Sequence, residues 1–180
     1  MNKIFKKDLY RYYGQEKETF RQRLARPPQI KYLSVLRKCS SAKNKFSRFF
    51  YRMKLKKIQE RTLIQIPYTA KIGEGFYIGH YGRLIINGDA VLGKNVNIAT
   101  GVTIGQESRG KREGVPTISD NVWIGTNAVI VGKITIGTDV LIAPNSFVNF
   151  DVPDHSIVVG NPAKIIHRED ATEGYVCNKV

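Results

Sequence analysis

The sequence predicts a mainly β fold, a solenoid of stacked six-residue units preceded by a basic helical segment, and three observations carry that prediction. First, an aliphatic residue recurs every six positions: Ile118, Ile124, Ile130, Ile136, Ile142 and Val148 keep unbroken step. Ile72, Ile78, Ile86, Leu92, Ile98 and Ile104 keep the same step apart from one two-residue slip. Second, a row of small or β-branched residues runs two positions ahead, through Ala90, Val96, Val102, Val122, Ala128, Ile134, Val140 and Ser146. Third, the positive charge is confined to the chain before the repeat. Residues 1–61 hold 19 Lys and Arg against four acids, while the remainder holds 10 bases and 11 acids, within a total of +14.

A period of six is neither the 3.6 of a helix nor the 2 of a simple strand, so it describes one supersecondary unit stacked on its copies. In a hexapeptide β-helix each unit makes a short strand and a turn, and three units complete a triangular coil with an aliphatic interior. The glycines after the ladder residues (Gly73, Gly79, Gly93, Gly105, Gly125 and Gly137) are expected to supply positive φ at corners, with Asn95, Asn121 and Asp139 tolerating the same conformation.

Ahead of the repeat, Pro27 and Pro28 divide a segment predicted as two helical stretches, about 7–25 and about 32–60. In the second, Phe46, Phe49, Phe50 and Met53 follow helical spacing among Lys43, Lys45, Arg48, Arg52, Lys54, Lys56 and Lys57. Such a face can lie on an anionic membrane surface, or its aromatics can close the open end of the solenoid or meet another subunit. No recognition motif accompanies the charge, so no specific nucleic-acid partner is expected. The expected division is 1–61 helical, 62–166 solenoid and 167–180 tail. No run approaches the roughly 20 apolar residues of a membrane span and no signal-peptide core opens the chain, so the expected location is cytoplasmic, with peripheral contact at the inner membrane face open to the basic segment. Cys39 and Cys177 have neither metal nor disulfide spacing.

The lapses in the repeat hold the candidate chemistry. His80 falls in the slip, on Ile78-Gly-His-Tyr-Gly-Arg-Leu-Ile-Ile-Asn87, where extra residues must bulge from the wall. A neutral imidazole there can take a proton from an attacking hydroxyl, or it can simply be packed or solvated beside Tyr81. Between Ile104 and Ile118 the polar run Gln106 to Val115 makes a second excursion, two residues beyond two full repeats, able to fold over a phosphate-bearing ligand. The repeat ends in Asp151-Val-Pro-Asp-His-Ser-Ile-Val-Val-Gly-Asn-Pro-Ala-Lys164, where Pro153 and Pro162 force an extended run, Lys164 offers a point charge, and His155 suits a hydrogen-bonding role. His167 carries no signal. Three clustered zinc-binding histidines and Gly-rich nucleotide loops are both missing from the sequence, so no metal is expected.

The ladder, the His80 segment, Val102-Thr-Ile-Gly105 with its loop, and Val159-Gly-Asn-Pro-Ala-Lys164 together resemble the left-handed β-helix acyltransferases, and within them the serine acetyltransferase branch with its relatives from capsule and exopolysaccharide gene clusters. The resemblance spans about 66–166. It implies a homotrimer with sites between neighbouring coils, acetyl-CoA as donor, and direct transfer with His80 as the catalytic base. It also implies that Gly125, Thr126, Ala143 and Pro144 line the pantetheine groove and that Lys164 lies near the nucleotide phosphates. Three positions depart from the serine enzymes: Gly79 stands where they carry Asp, Gln65 where they carry the aspartate that orients the histidine, and Val115 where they carry a second histidine. These departures point away from serine, toward a sugar hydroxyl of a capsular polysaccharide or exopolysaccharide, or of its lipid-linked precursor, held by Tyr77, Tyr81, Arg83 and Asn87. A serine acceptor is the alternative, and a non-catalytic scaffold binding anionic polymer or membrane is the second.

Overall fold

The computed structural model describes residues 2–180. Four helices precede the strands: α1 (Lys3–Tyr13), α2 (Phe20–Leu24), α3 (Pro28–Ser40) and α4 (Lys45–Thr62). The two stretches expected are thus each divided. Gly14, at φ 66°, ends α1 in the left-handed conformation, and Thr19 with Gln22 builds a reciprocal cap that starts α2. Pro28 opens α3, and the Asn44 side chain accepts from the Ser47 N–H to start α4.

Fifteen short strands follow and wind into three sheets. The first sheet stacks β1 (Ile64–Gln65), β4 (Leu84–Ile86), β7 (Thr103–Gly105), β10 (Val129–Val131) and β13 (Phe147–Val148). The second stacks β2 (Lys71–Ile72), β5 (Val91–Leu92), β8 (Thr117–Ile118) and β11 (Thr135–Ile136). The third stacks β3 (Tyr77–Ile78), β6 (Asn97–Ile98), β9 (Trp123–Ile124), β12 (Val140–Ile142) and β14 (Ser156–Gly160), closed by β15 (Ala163–His167), the one antiparallel partner. The ladder residues meet in register inside the prism: Ile86, Ile104 and Ile130; Leu92, Ile118 and Ile136; Ile78, Ile98, Ile124 and Ile142, all buried.

Register measures each excursion. Ile86 pairs with Ile104 and Ile118 with Ile136, eighteen residues or three steps apart. Ile78 pairs with Ile98, so the His80 turn adds two residues. Leu92 pairs with Ile118, twenty-six residues on, so the run from Gln106 adds eight to a single step rather than two to a pair of steps. A spacing of fourteen fits either count, and only strand pairing decides. The excursion is a small hairpin in which Glu107 and Gly114 exchange 3.0 Å backbone bonds, tied to the next coil by Lys133 N–H donating to the Arg112 carbonyl at 2.8 Å.

Most ladder glycines serve packing, and none serves φ. None of the six has positive φ; left-handed corners fall instead at Asn95, Asn121, Asn127, Asp139 and Asn145, with Gly75 and Gly101. A Cβ on Gly73 would come within 2.5 Å of the Gly93 carbonyl, and one on Gly125 within 2.6 Å of the Pro144 nitrogen. Neighbouring coils therefore approach too closely at these corners for any side chain. Gly79 differs, since a Cβ there would meet nothing closer than 3.8 Å.

The first coil of the prism is sealed, and the tail straps one face. At the first coil, side chains from α1 and α3 take the polar edge. Arg37 pairs with buried Asp8 at 2.8 Å and donates to the Ile72 and Gly73 carbonyls, while Asp8 accepts from Phe76 N–H. Burial pushes the Asp8 carboxyl up, against the opposing pull of Arg37. Tyr32 bridges Ile66 N–H and C=O, and Arg11 donates to the Gly75 carbonyl and Asn97. From the other end the tail runs back along the third sheet. Asp139 accepts from His155, Ala171 and Thr172, Tyr175 packs on Trp123 at 4.9 Å, and Asn95 holds Val180. Arg11 donates to the Cys177 carbonyl at 2.7 Å, joining tail to α1.

Two outcomes follow from this packing. Gly125→Ala is expected to cost about 1–3 kcal/mol in denaturant unfolding, while Gly79→Ala stays within about 0.5 kcal/mol; equal effects would contradict the close-approach account. The Asp139 carboxyl lies below its usual range because bonds from Thr172, His155 and Ala171 outweigh burial, and His155 is raised chiefly by its bond to Asp139. A raised histidine stabilises the tail below its ordinary pKa of about 6.5 and loses that contribution as pH climbs through its folded value; the depressed carboxyl contributes above about 3.8 and loses it as pH falls further. Amide exchange at Ala171 and Thr172, corrected for intrinsic rates, should therefore be slowest between those limits, and His155→Ala should flatten the alkaline limb.

Candidate active site

Strand register places the proposed catalytic and donor-binding positions on one edge of the prism. Ile78, Ile98, Ile124 and Ile142 are stacked partners in the third sheet, so the residues that follow each of them form a column. Reading along it, the column holds Gly79 and His80, Ala99 and Thr100, Gly125 and Thr126, then Ala143 and Pro144. Backbone bonds knit it together: Asn127 N–H donates to the Thr100 carbonyl at 3.1 Å and Asn145 N–H to the Thr126 carbonyl at 2.9 Å. Ile142 also pairs with Val158, and Val159 faces Lys164 across the β14–β15 hairpin, so Lys164 lies at the end of the same column. The corners of this column carry mostly small residues, Gly79, Ala99, Gly125 and Ala143 among them.

His80 lies on the two-residue bulge between β3 and β4 and is exposed. Three helices hold that bulge through its backbone. Tyr12 of α1 donates to the Ile78 carbonyl at 2.9 Å and accepts from Ile78 N–H at 2.8 Å; its phenol is raised well above 10 by burial. Gln29 of α3 donates to the Gly79 carbonyl at 3.3 Å, leaving its own buried Oε1 without a partner. At the end of α4, the Thr62 carbonyl accepts from Gly82 N–H at 2.9 Å. Tyr12, Gln29 and Thr62 are contacts that sequence reading missed.

The other expected residues divide between two edges. Tyr81 and Arg83 are exposed on the His80 bulge. Tyr77 is committed to packing, stacked on Tyr12 at 4.3 Å with Arg11 5.9 Å over its ring. Asn87 follows β4 and lies at the opposite edge of the first sheet, where its side chain accepts from Asp89 N–H. The Gln106–Val115 hairpin leaves from that opposite edge too, between β7 and β8. Gln65 lies on β1, exposed and in register with Ile85.

This architecture defines a parallel β-solenoid of hexapeptide units, and residues 116–149 match the bacterial transferase hexapeptide (six repeats) family. Within that class the chain is similar to serine acetyltransferases. It is 39% identical over 110 residues to serine acetyltransferase 2 of Arabidopsis thaliana, covering 61% of this chain and 34% of that relative, so the match spans about a third of the relative's length. Its structure superposes on the Neisseria gonorrhoeae serine acetyltransferase in complex with serine with a TM-score of 0.74 at 29% identity, covering 91% and 68% of the two chains. Against the Brucella abortus serine acetyltransferase in complex with coenzyme A the TM-score is 0.75 at 25% identity, covering 92% and 66%.

These findings correct the expected sugar acceptor and its capsular setting, since the similar proteins are serine acetyltransferases. The structure supplies the physical reason. The four residues offered for a sugar do not form one platform: Tyr77 is spent on Tyr12, and Asn87 stands across a whole sheet from His80.

The anchoring of the bulge is testable. Tyr12→Phe removes both bonds to Ile78, worth about 1 kcal/mol or more when one partner is left buried. Amide exchange at Gly79 to Gly82 should then accelerate by about fivefold or more while exchange at Ile130 and Ile142 is unaltered.

Proposed function

We propose that the chain is a serine O-acetyltransferase, moving acetyl from acetyl-CoA to the hydroxyl of L-serine. The observation that carries this reading is the single column joining His80 to Gly125, Thr126, Ala143, Pro144 and Lys164. A histidine at one end of a run of small corner residues, in a chain similar to serine acetyltransferases, supports a base acting on a donor laid along that run. Neutral His80 takes the proton of the serine hydroxyl as its oxygen attacks the thioester carbonyl. The C–S bond then breaks, and the departing thiolate recovers the proton from the imidazolium. Backbone N–H groups of the column stabilise the oxyanion.

Lys164 offers a point charge to the nucleotide phosphates at the far end of that run. With Gly79 and Val115 in place of ionisable groups, Arg83 on the bulge is the cation that meets the serine carboxylate. The exposed imidazole and the hairpin on the opposite edge of the first sheet fit a homotrimer in which neighbouring prisms bring the two edges together, working in the cytoplasm where acetyl-CoA is available.

Incubation with L-serine and acetyl-CoA, followed by thiol release and mass detection of O-acetylserine, tests the reading directly. His80→Ala should lower turnover by about 10²–10⁴-fold with the mass of the assembly unchanged. Arg83→Ala should raise the KM for serine more than it lowers kcat. Thiol release that does not depend on serine, or full activity in the His80 variant, would overturn acceptor or mechanism respectively.

A further inference from the structure

We propose that α4 is a membrane-surface anchor that seats the protein on anionic lipid. Its inward face packs on the fold: Leu55 and Thr62 are buried, Arg48 donates to the Ala42 carbonyl, and Gln59 donates to the Tyr32 hydroxyl. Its outward face carries Phe46, Phe49, Phe50 and Met53, which are 85%, 62%, 56% and 54% exposed. The aromatics therefore do not close the solenoid, a task that α1 and α3 perform. Four large apolar side chains in one helical stripe form the kind of contiguous exposed patch that marks an interaction surface.

Charge identifies the partner. The helix holds seven Lys and Arg against one acid, Glu60, and Lys45, Arg52, Lys54, Lys56 and Lys57 are exposed beside the apolar stripe. The Lys54 ammonium lies 5.8 Å over the Phe50 ring, so charge and apolar surface adjoin on this face. A second copy docking through this face would bring two such cationic stripes together, whereas an anionic lipid surface neutralises the lysines while its acyl boundary receives the phenyl rings. No helix among the described residues is long and apolar enough to cross a membrane, so the helix lies in the interface plane. A nucleic acid would satisfy the lysines but give Met53 and the outermost ring, Phe46, no hydrocarbon to enter.

The full chain is to be sedimented with vesicles of phosphatidylcholine alone, and of phosphatidylcholine mixed with phosphatidylglycerol. Binding to the mixed vesicles should exceed binding to the neutral ones by about tenfold, and weaken as salt is raised. Phe49→Ser with Phe50→Ser, and separately Lys54→Glu with Lys57→Glu, should each reduce it by about tenfold while acetyl transfer between soluble substrates is unchanged. A Phe46→Trp reporter should shift its emission to the blue on mixed vesicles only. Equal binding to both vesicle types, or undiminished binding by the Phe variant, overturns the anchor. So does a lipid-free assembly whose mass falls in the Phe variant, which would assign the stripe to a second copy. Displacement from vesicles by duplex RNA that the Phe variant binds equally well would assign the charge to nucleic acid instead.

Discussion

The open edge of the first coil is the constraint on which the rest of this structure depends. A parallel solenoid satisfies its backbone groups coil by coil, so the strands that begin it have no partner on one side and would template other chains. Here the partner is a set of side chains. Arg37 takes the Ile72 and Gly73 carbonyls, Arg11 takes Gly75, Tyr12 takes both groups of Ile78, and Tyr32 takes both groups of Ile66. The pairing of Arg37 with Asp8 is buried, and the raised Asp8 carboxyl reflects the desolvation of that charge. Such a pair is a weak source of net stability. Its value lies in presenting a forked cation to two backbone carbonyls that nothing else reaches.

The same contacts set the site. His80 occupies the first coil, two residues beyond the strand that Tyr12 holds and next to the carbonyl that Gln29 holds. The helices that seal the first coil therefore also fix the bulge that carries His80. The tail adds a second tie, because Arg11 bonds the Cys177 carbonyl while its other nitrogens engage Gly75 and Asn97. Helix α1, the first coil and the C-terminal strap thus meet on one guanidinium.

Much of this was legible in the sequence, and the gaps have physical causes. A six-residue aliphatic step reports the ladder directly, since each rung must be buried, and Ile72 to Val148 were readable on that ground. The step does not say which of three corners a residue occupies once residues are inserted. Asn87 and His80 look close in sequence yet lie on different edges, and the hairpin from Gln106 was miscounted because spacing alone cannot separate one long step from two. Glycine likewise has two uses, positive φ and close approach; Gly73, Gly93, Gly125 and Gly137 use the second, while most left-handed corners fall to asparagine. Tyr12, Gln29 and Asp8 could not be found at all, because contacts between distant segments leave no local pattern.

Gly79 shows why residue-by-residue reading of the acceptor failed. At Gly73 or Gly125 the neighbouring coil forbids a side chain, so glycine there reports the fold. At Gly79 a Cβ would have room, its φ is not in the left-handed region, and its N–H already donates to the Ile98 carbonyl. Nothing in the backbone demands glycine beside His80. A position free of structural demand can gain or lose a carboxylate without disturbing the column of donor contacts, which is built from backbone and small residues. On the proposed reading, an ionisable group missing there changes how an amino-acid acceptor is gripped, with Arg83 on the same bulge, rather than whether an amino acid can be the acceptor.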